Sequence, residues 1–135
     1  MAFITWKKEF EVGYVKVDDQ HKELVRIINT LADAMSLGKG KEELGKVLHF
    51  LAEYTITHFK TEEDLMLASG YPGFTGHKKI HEDLLTQVRE LVEKFDSGKS
   101  VLTVQVMNFL QDWLIKHIQG EDTKLAGFLK KTGRP

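Results

Sequence analysis

Four long segments of this chain each carry apolar residues at every third or fourth position, and each of the four apolar stripes includes histidine. A spacing of three and four places side chains on one face of a helix, at about 100° per residue. His21, Leu24, Val25, Ile28, Leu31, Ala32 and Met35 make the first stripe. Leu44, Leu48, Leu51, Thr55, His58, Glu62 and Leu65 make the second. His77, His81, Leu84, Val88, Leu91 and Phe95 make the third, and Thr103, Val106, Leu110, Trp113 and His117 the fourth. An amphipathic helix is held by burying such a stripe against others.

The spacing predicts helices over about 19–37, 41–69, 74–96 and 101–119, the last starting near Val101. Gly38-Lys39-Gly40, Gly70-Tyr71-Pro72-Gly73 and Ser97-Gly98-Lys99-Ser100 separate them, with glycine stops and one proline. Loops this short make neighbours antiparallel, so the expected fold is all-α, an up-down-up-down antiparallel four-helix bundle. Residues 1–17 read as an extended arm packed on the helices. Phe10, Val12, Tyr14, Val15 and Val17 alternate as a strand would, but no second strand is available to pair with it. Asp18 and Asp19 are candidate N-caps for the first helix. A tail over 122–135 reads as a short helix through Leu125, Phe128 and Leu129, and Thr132-Gly133-Arg134-Pro135 as a loose end. The 135 residues fit one domain, 1–135, around one core.

A formal net charge of −1 offers no basic field for nucleic acid and no polybasic patch for an anionic membrane. The chain has no cysteine, hence no disulfide, thiolate metal site or cysteine nucleophile. The first residues turn charged at Lys7-Lys8-Glu9, unlike a signal peptide, and no apolar run has the length of a membrane span. A cytoplasmic domain is expected. No outer stripe is apolar enough to demand association, so a monomer or weak oligomer is expected.

Five of the six histidines lie on inward stripes: His21, His58, His77, His81 and His117. Glu62 and Asp122 join them. One such histidine alone reads as a core residue with a hydrogen-bond partner. Five on four helices, each separately satisfied, is a poor account, because buried imidazoles and carboxylates are costly unless paired or metal-bound. Helix direction alternates in the bundle. His21 opens the first helix, His58 and Glu62 close the second, His77 and His81 open the third, and His117 and Asp122 close the fourth. All seven therefore fall in one layer at one end of the bundle. His49, nine residues before His58, is about half a turn out of phase and is expected on the outside.

His58/Glu62 and His77/His81 are four apart, one helical turn. His117 and Asp122 are five apart, which rotates them by about 140° in a regular helix. Two readings follow. Either the helix gains a residue locally as a π-bulge, eased by Gly120, and both reach the site. Or it ends near Ile118 and Asp122 caps the tail helix. Imidazole and carboxylate without thiolate suit iron, zinc, copper or nickel. Seven donors exceed one tetrahedral zinc and suit two metals bridged by two carboxylates. No HExxH or Glu-x-x-His occurs, which disfavours the common zinc-protease and ferritin-like helices.

This pattern resembles the hemerythrins, and most of all the single-domain bacteriohemerythrins. The family signature is a lone first-helix histidine, then His-x3-Glu, His-x3-His and His-x4-Asp. Here it reads His21 within Asp18-Asp19-Gln20-His21, His58/Glu62, His77/His81 and His117/Asp122, and the likeness spans about residues 3–130. The resemblance implies a cofactor of two non-heme iron ions with a bridging oxo or hydroxo group. One iron would take His77, His81 and His117, the other His21 and His58, with Glu62 and Asp122 bridging. The five-coordinate second iron would leave a position where O2 binds reversibly. Leu24, Phe59, Trp113, Leu114 and Ile118 match the family's gas-pocket positions, a role compatible with ordinary core packing. The expected function is O2 carriage, storage or delivery rather than catalysis, with an O2-consuming protein as a possible recipient. Alternatives are an O2 or redox sensor domain, or a di-iron oxidase, peroxidase or nitric-oxide-handling enzyme. The apolar neighbours of the histidines argue against the enzyme.

Overall fold

The computed structural model describes residues 3–99 and 102–132. The fold is an up-down-up-down antiparallel bundle of α1 (Val15–Ser36), α2 (Lys41–Ser69), α3 (Phe74–Asp96) and α4 (Val104–His117). A π-helical stretch, Ile118–Asp122, joins α4 directly to a short α5 (Thr123–Lys131). The glycines act where the sequence places them. Gly70 ends α2 in the left-handed region (φ 67°), and Tyr71 N donates back to Met66 O at 2.9 Å. This closes the helix with a geometry that costs an L side chain strain. Gly38 (φ 69°) does the same after α1, where Lys39 N donates to Ala34 O at 3.0 Å. Thr103 caps α4 by accepting from Val106 N at 3.2 Å. The expected start of α4 at Val101, like Ser100 and the terminal Gly133-Arg134-Pro135, lies outside the described residues.

The arm differs from the expectation in one respect. α1 begins at Val15, four residues before the predicted start, so Val15 and Val17 are helical. Asp18 and Asp19 therefore lie within the first turns, and the N-cap position is Tyr14, which makes no side-chain cap bond. Asp18 instead reaches back, accepting from Val12 N at 2.8 Å and Gly13 N at 3.1 Å. It ties the arm to the helix rather than capping it. The arm contains one 3-10 turn, Lys8–Phe10, flanked by extended backbone at Lys7 and Glu11. It is held by Asn29, whose side chain accepts from Ile4 N at 2.7 Å and donates to Ile4 O at 2.8 Å. That bidentate pairing is what a strand edge would supply. Ile4, Phe10 and Val12 are buried beneath it.

The stripes face inward as their periodicity requires. Val25, Ile28 and Leu31 of α1, Leu48 and Leu51 of α2, Phe95 of α3, and Met107 and Leu110 of α4 are all buried and form one core. The described residues include no helix long and apolar enough to cross a membrane. Below the core, toward the other end of the bundle, the buried residues turn polar.

Candidate metal centre

His21, His58, Glu62, His77, His81, His117 and Asp122 are all buried, none more than 4 % exposed. Each comes from the end of its helix that the alternating chain direction brings to this layer. The π-helical stretch resolves the irregular spacing of the last pair. Thr123 N bonds to Ile118 O, five residues back, and the Thr123 hydroxyl donates to the same carbonyl at 2.8 Å. The wider turn inserts one residue and returns Asp122 to the face that carries His117. Asp122 Oδ1 lies 3.0 Å from His117 Nε2. Asp122 makes no capping bond to α5, so the capping reading is set aside. Gly120 has no left-handed backbone, and a Cβ there would meet no atom within 4 Å.

All five imidazoles point Nε2 into the same space, and the two carboxylates divide it. Glu62 Oε1 lies 2.9 Å from His81 Nε2, 3.2 Å from His77 Nε2 and 3.6 Å from His117 Nε2. Glu62 Oε2 lies 3.3 Å from His58 Nε2 and 3.8 Å from His21 Nε2. Asp122 repeats the division. Its Oδ1 is 3.1 Å from His77 Nε2, and its Oδ2 is 2.6 Å from His21 Nε2 and 3.9 Å from His58 Nε2. Two donor sets result, one of Glu62, His77, His81, His117 and Asp122, the other of His21, His58, Glu62 and Asp122. Within each set the donor atoms lie within 4.8 Å of one another. Both carboxylates belong to both sets.

The electrostatics are those of a closely packed ionic cluster. Burial pushes the His58, His77 and His117 imidazoles down, but Glu62 and Asp122 outweigh it and hold each up at about 9. Burial pushes the Glu62 carboxyl up, and the histidines, His58 foremost, overcome it and hold it well below the usual carboxylate range. Asp122 is likewise held low, chiefly by His117, against burial and the Glu62 charge. The cluster is still left incomplete. His58 Nε2, Glu62 Oε2 and Asp122 Oδ1 are buried with no partner in hydrogen-bond geometry. Orphaned atoms this deep are costly, and metal cations among them would satisfy all three. Imidazole and carboxylate donors without thiolate suit iron, as they do zinc, copper or nickel, and the two donor sets have room for two such ions.

The five expected pocket residues also lie around this layer. Phe59 stacks on His81, ring centroids 3.8 Å apart and planes within 5°. Trp113 stacks on His117 at 4.6 Å and 16°, and Phe59 and Trp113 are 5.7 Å apart. Leu24, Leu114 and Ile118 are each 3 % exposed or less. His49 is on the surface as expected, 2.8 Å from Asp96 Oδ2.

Sequence reasoning missed the residues behind the histidines. His58 Nδ1 donates to Gln20 Oε1 at 2.8 Å, and Gln20 Nε2 donates to the Thr61 hydroxyl at 3.1 Å. His81 Nδ1 donates to Glu63 Oε2 at 3.0 Å. The available signal was adjacency: Gln20 precedes His21 and Glu63 follows Glu62, each polar at the edge of an inward stripe.

The sequence profile of the hemerythrin HHE cation binding domain matches residues 12–129. A bacteriohemerythrin of Methylococcus capsulatus is 38 % identical over 128 residues, covering 94 % of this chain and 96 % of the relative. A myohemerythrin of Phascolopsis gouldii is 34 % identical, covering 92 % of each chain. Among solved structures, wild-type hemerythrin superposes with a TM-score of 0.90 at 35 % identity, covering 95 % of this chain and 98 % of that one. A substitution variant of hemerythrin gives 0.91 at the same identity. With its His/Glu/Asp cluster set in this fold, the chain belongs to the hemerythrin family.

Proposed function

We propose that this protein binds O2 reversibly at a di-iron centre held by His21, His58, Glu62, His77, His81, His117 and Asp122, and that it carries, stores or delivers O2 in the cytoplasm rather than transforming a substrate. The observation that carries the reading is the split of each carboxylate: Glu62 turns one oxygen toward His77, His81 and His117, Asp122 one toward His77 and His117, and both turn the other toward His21 and His58. Carboxylates so placed would let Glu62 and Asp122 each hold both irons. When bound, the irons supply the electrons that O2 takes up and gives back.

What the chain itself does follows from its donors and walls. The His77–His81–His117 side offers one imidazole more than the His21–His58 side, so an iron held by His21 and His58 would be the one left short of a protein ligand and able to take O2. Phe59 and Trp113 shield His81 and His117 with aromatic faces, and Leu24, Leu114 and Ile118 add apolar bulk. Dryness favours reversible binding because water and protons promote loss of reduced oxygen and strand the irons in the ferric state. An O2-consuming protein would be the recipient of O2 delivered in this way.

The test is an optical spectrum of reduced, iron-loaded protein cycled between O2 and argon. A visible band that appears under O2 and vanishes under argon through repeated cycles supports the reading. A single irreversible conversion to the ferric state overturns reversible carriage.

A further inference from the structure

Only two of the five inward-pointing imidazoles have a side chain holding their outer nitrogen. His21, His77 and His117 Nδ1 are buried without a hydrogen-bond partner. His58 Nδ1 is held by Gln20 and His81 Nδ1 by Glu63. The two holders differ in charge. Gln20 is a neutral amide, anchored on α2 through Thr61. Glu63 is a carboxylate with its side chain 24 % exposed. It borders a cavity of about 300 Å3 whose other walls include Ile56, Phe59, His81 and Leu85. Neighbouring Lys60 is engaged by Asp64 at 3.3 Å, and among the described residues the one ion-pair partner of Glu63 is His81.

We propose that Glu63 is a positioning residue that makes the two halves of the centre electronically unequal. Its carboxylate fixes the His81 tautomer with the proton on Nδ1 and the lone pair on Nε2. Phe59, flat against the same ring, removes the remaining rotational freedom. An imidazole that donates to a carboxylate is a stronger ligand than one that donates to an amide. The His77–His81–His117 set therefore gains a donor biased toward the higher iron charge, and Gln20 gives the His21–His58 set orientation without that bias. The half with the spare coordination position is thus the half with the weaker electron push. Glu63 and His81 both border that cavity, and Glu63 meets the ring at Nδ1, the nitrogen turned away from the carboxylate cluster. This inference rests on the di-iron reading and goes beyond it by assigning residues outside the ligand set.

The test compares Glu63→Gln, Glu63→Ala and Gln20→Glu with the parent, each loaded with iron anaerobically. Three quantities are read: bound iron, the rate of iron removal by a ferrous chelator, and the reduction potential. Glu63→Gln keeps the acceptor but not the charge, so it retains the parent's iron while its potential moves positive. Glu63→Ala loses iron to the chelator about 10–100-fold faster, the usual scale for removing a partner behind a metal ligand. Gln20→Glu moves the potential negative. A merely structural role would leave the potential of Glu63→Gln where the parent has it, and that result overturns the proposal. Equal chelator rates for Glu63→Ala and the parent overturn it as well. Failure of the parent itself to hold two irons is a different result, which rejects the di-iron reading.

Discussion

Glu62 and Asp122, sixty residues apart in sequence and on different helices, split their oxygens identically: Oε1 and Oδ1 face His77, while Oε2 and Oδ2 face His21 and His58. Both span the two histidine sets, and among the described residues no other carboxylate belongs to either set. Asp122→Ala should therefore lower iron retention, with bound iron falling by half or more after passage over a desalting column, while far-ultraviolet circular dichroism stays helical. Parent-like iron content and spectrum in this variant would remove Asp122 from the bridge.

Metal-free protein should respond to pH in a direction set by the cluster. His58, His77 and His117 are held at about 9, above the ordinary 6.5. A raised folded value means that protonation favours the fold. That stability is fully present below about 6.5 and gone above about 9. Glu62 and Asp122 are held low, so their contribution is present above the ordinary carboxylate range and lost as pH falls through it toward their depressed values. The metal-free chain should thus melt highest near pH 5–6.5 and progressively lower toward pH 9. Iron must displace the imidazole protons, so its affinity should rise over the same interval with proton release. Thermal melts across pH and calorimetry in two buffers of different ionisation enthalpy check both; a flat melting profile from pH 6 to 9 contradicts the first.

Gly120→Ala should be close to neutral. Gly120 lacks a left-handed backbone, and open space surrounds its missing Cβ. Alanine favours helical backbone by about 1 kcal/mol over glycine, so stability should hold or rise slightly and iron binding should persist. A loss of more than about 2 kcal/mol in denaturant melts would show that the π-helical stretch depends on this glycine.

How much of this was legible beforehand follows from which features have a period. The four stripes and the common layer of histidines could be read because a 3.6-residue repeat and alternating helix direction are set by the backbone alone. The His117–Asp122 spacing marked an irregularity but left two readings, an inserted residue or a helix end capped by Asp122, and only the π-helical stretch Ile118–Asp122 decides between them. What stayed hidden was contact without period. Asp18 reads as a cap by residue type, yet it bonds to Val12 and Gly13 because α1 starts earlier, at Val15. Gln20 and Glu63 sit beside ligands in sequence, but their bonds to His58 and His81 cross between helices, and only the packed bundle sets that register.

Phe59→Ala should open the centre to water. Phe59 is 3 % exposed and lies flat on His81. Truncating a buried phenylalanine costs about 3–5 kcal/mol. The reduced, iron-loaded variant should also pass irreversibly to the ferric state at least several-fold faster than the parent, as followed by absorbance in air. An unchanged rate despite the lost stability would mean that Phe59 packs the core without shielding the irons.

The central claim is that the two donor sets hold two cations, one on each side of Glu62 and Asp122. Elemental analysis of purified protein, loaded anaerobically with ferrous iron and freed of excess by gel filtration, tests it most directly. Two irons per folded chain is the predicted result; one or fewer, from protein shown to be folded, would contradict it.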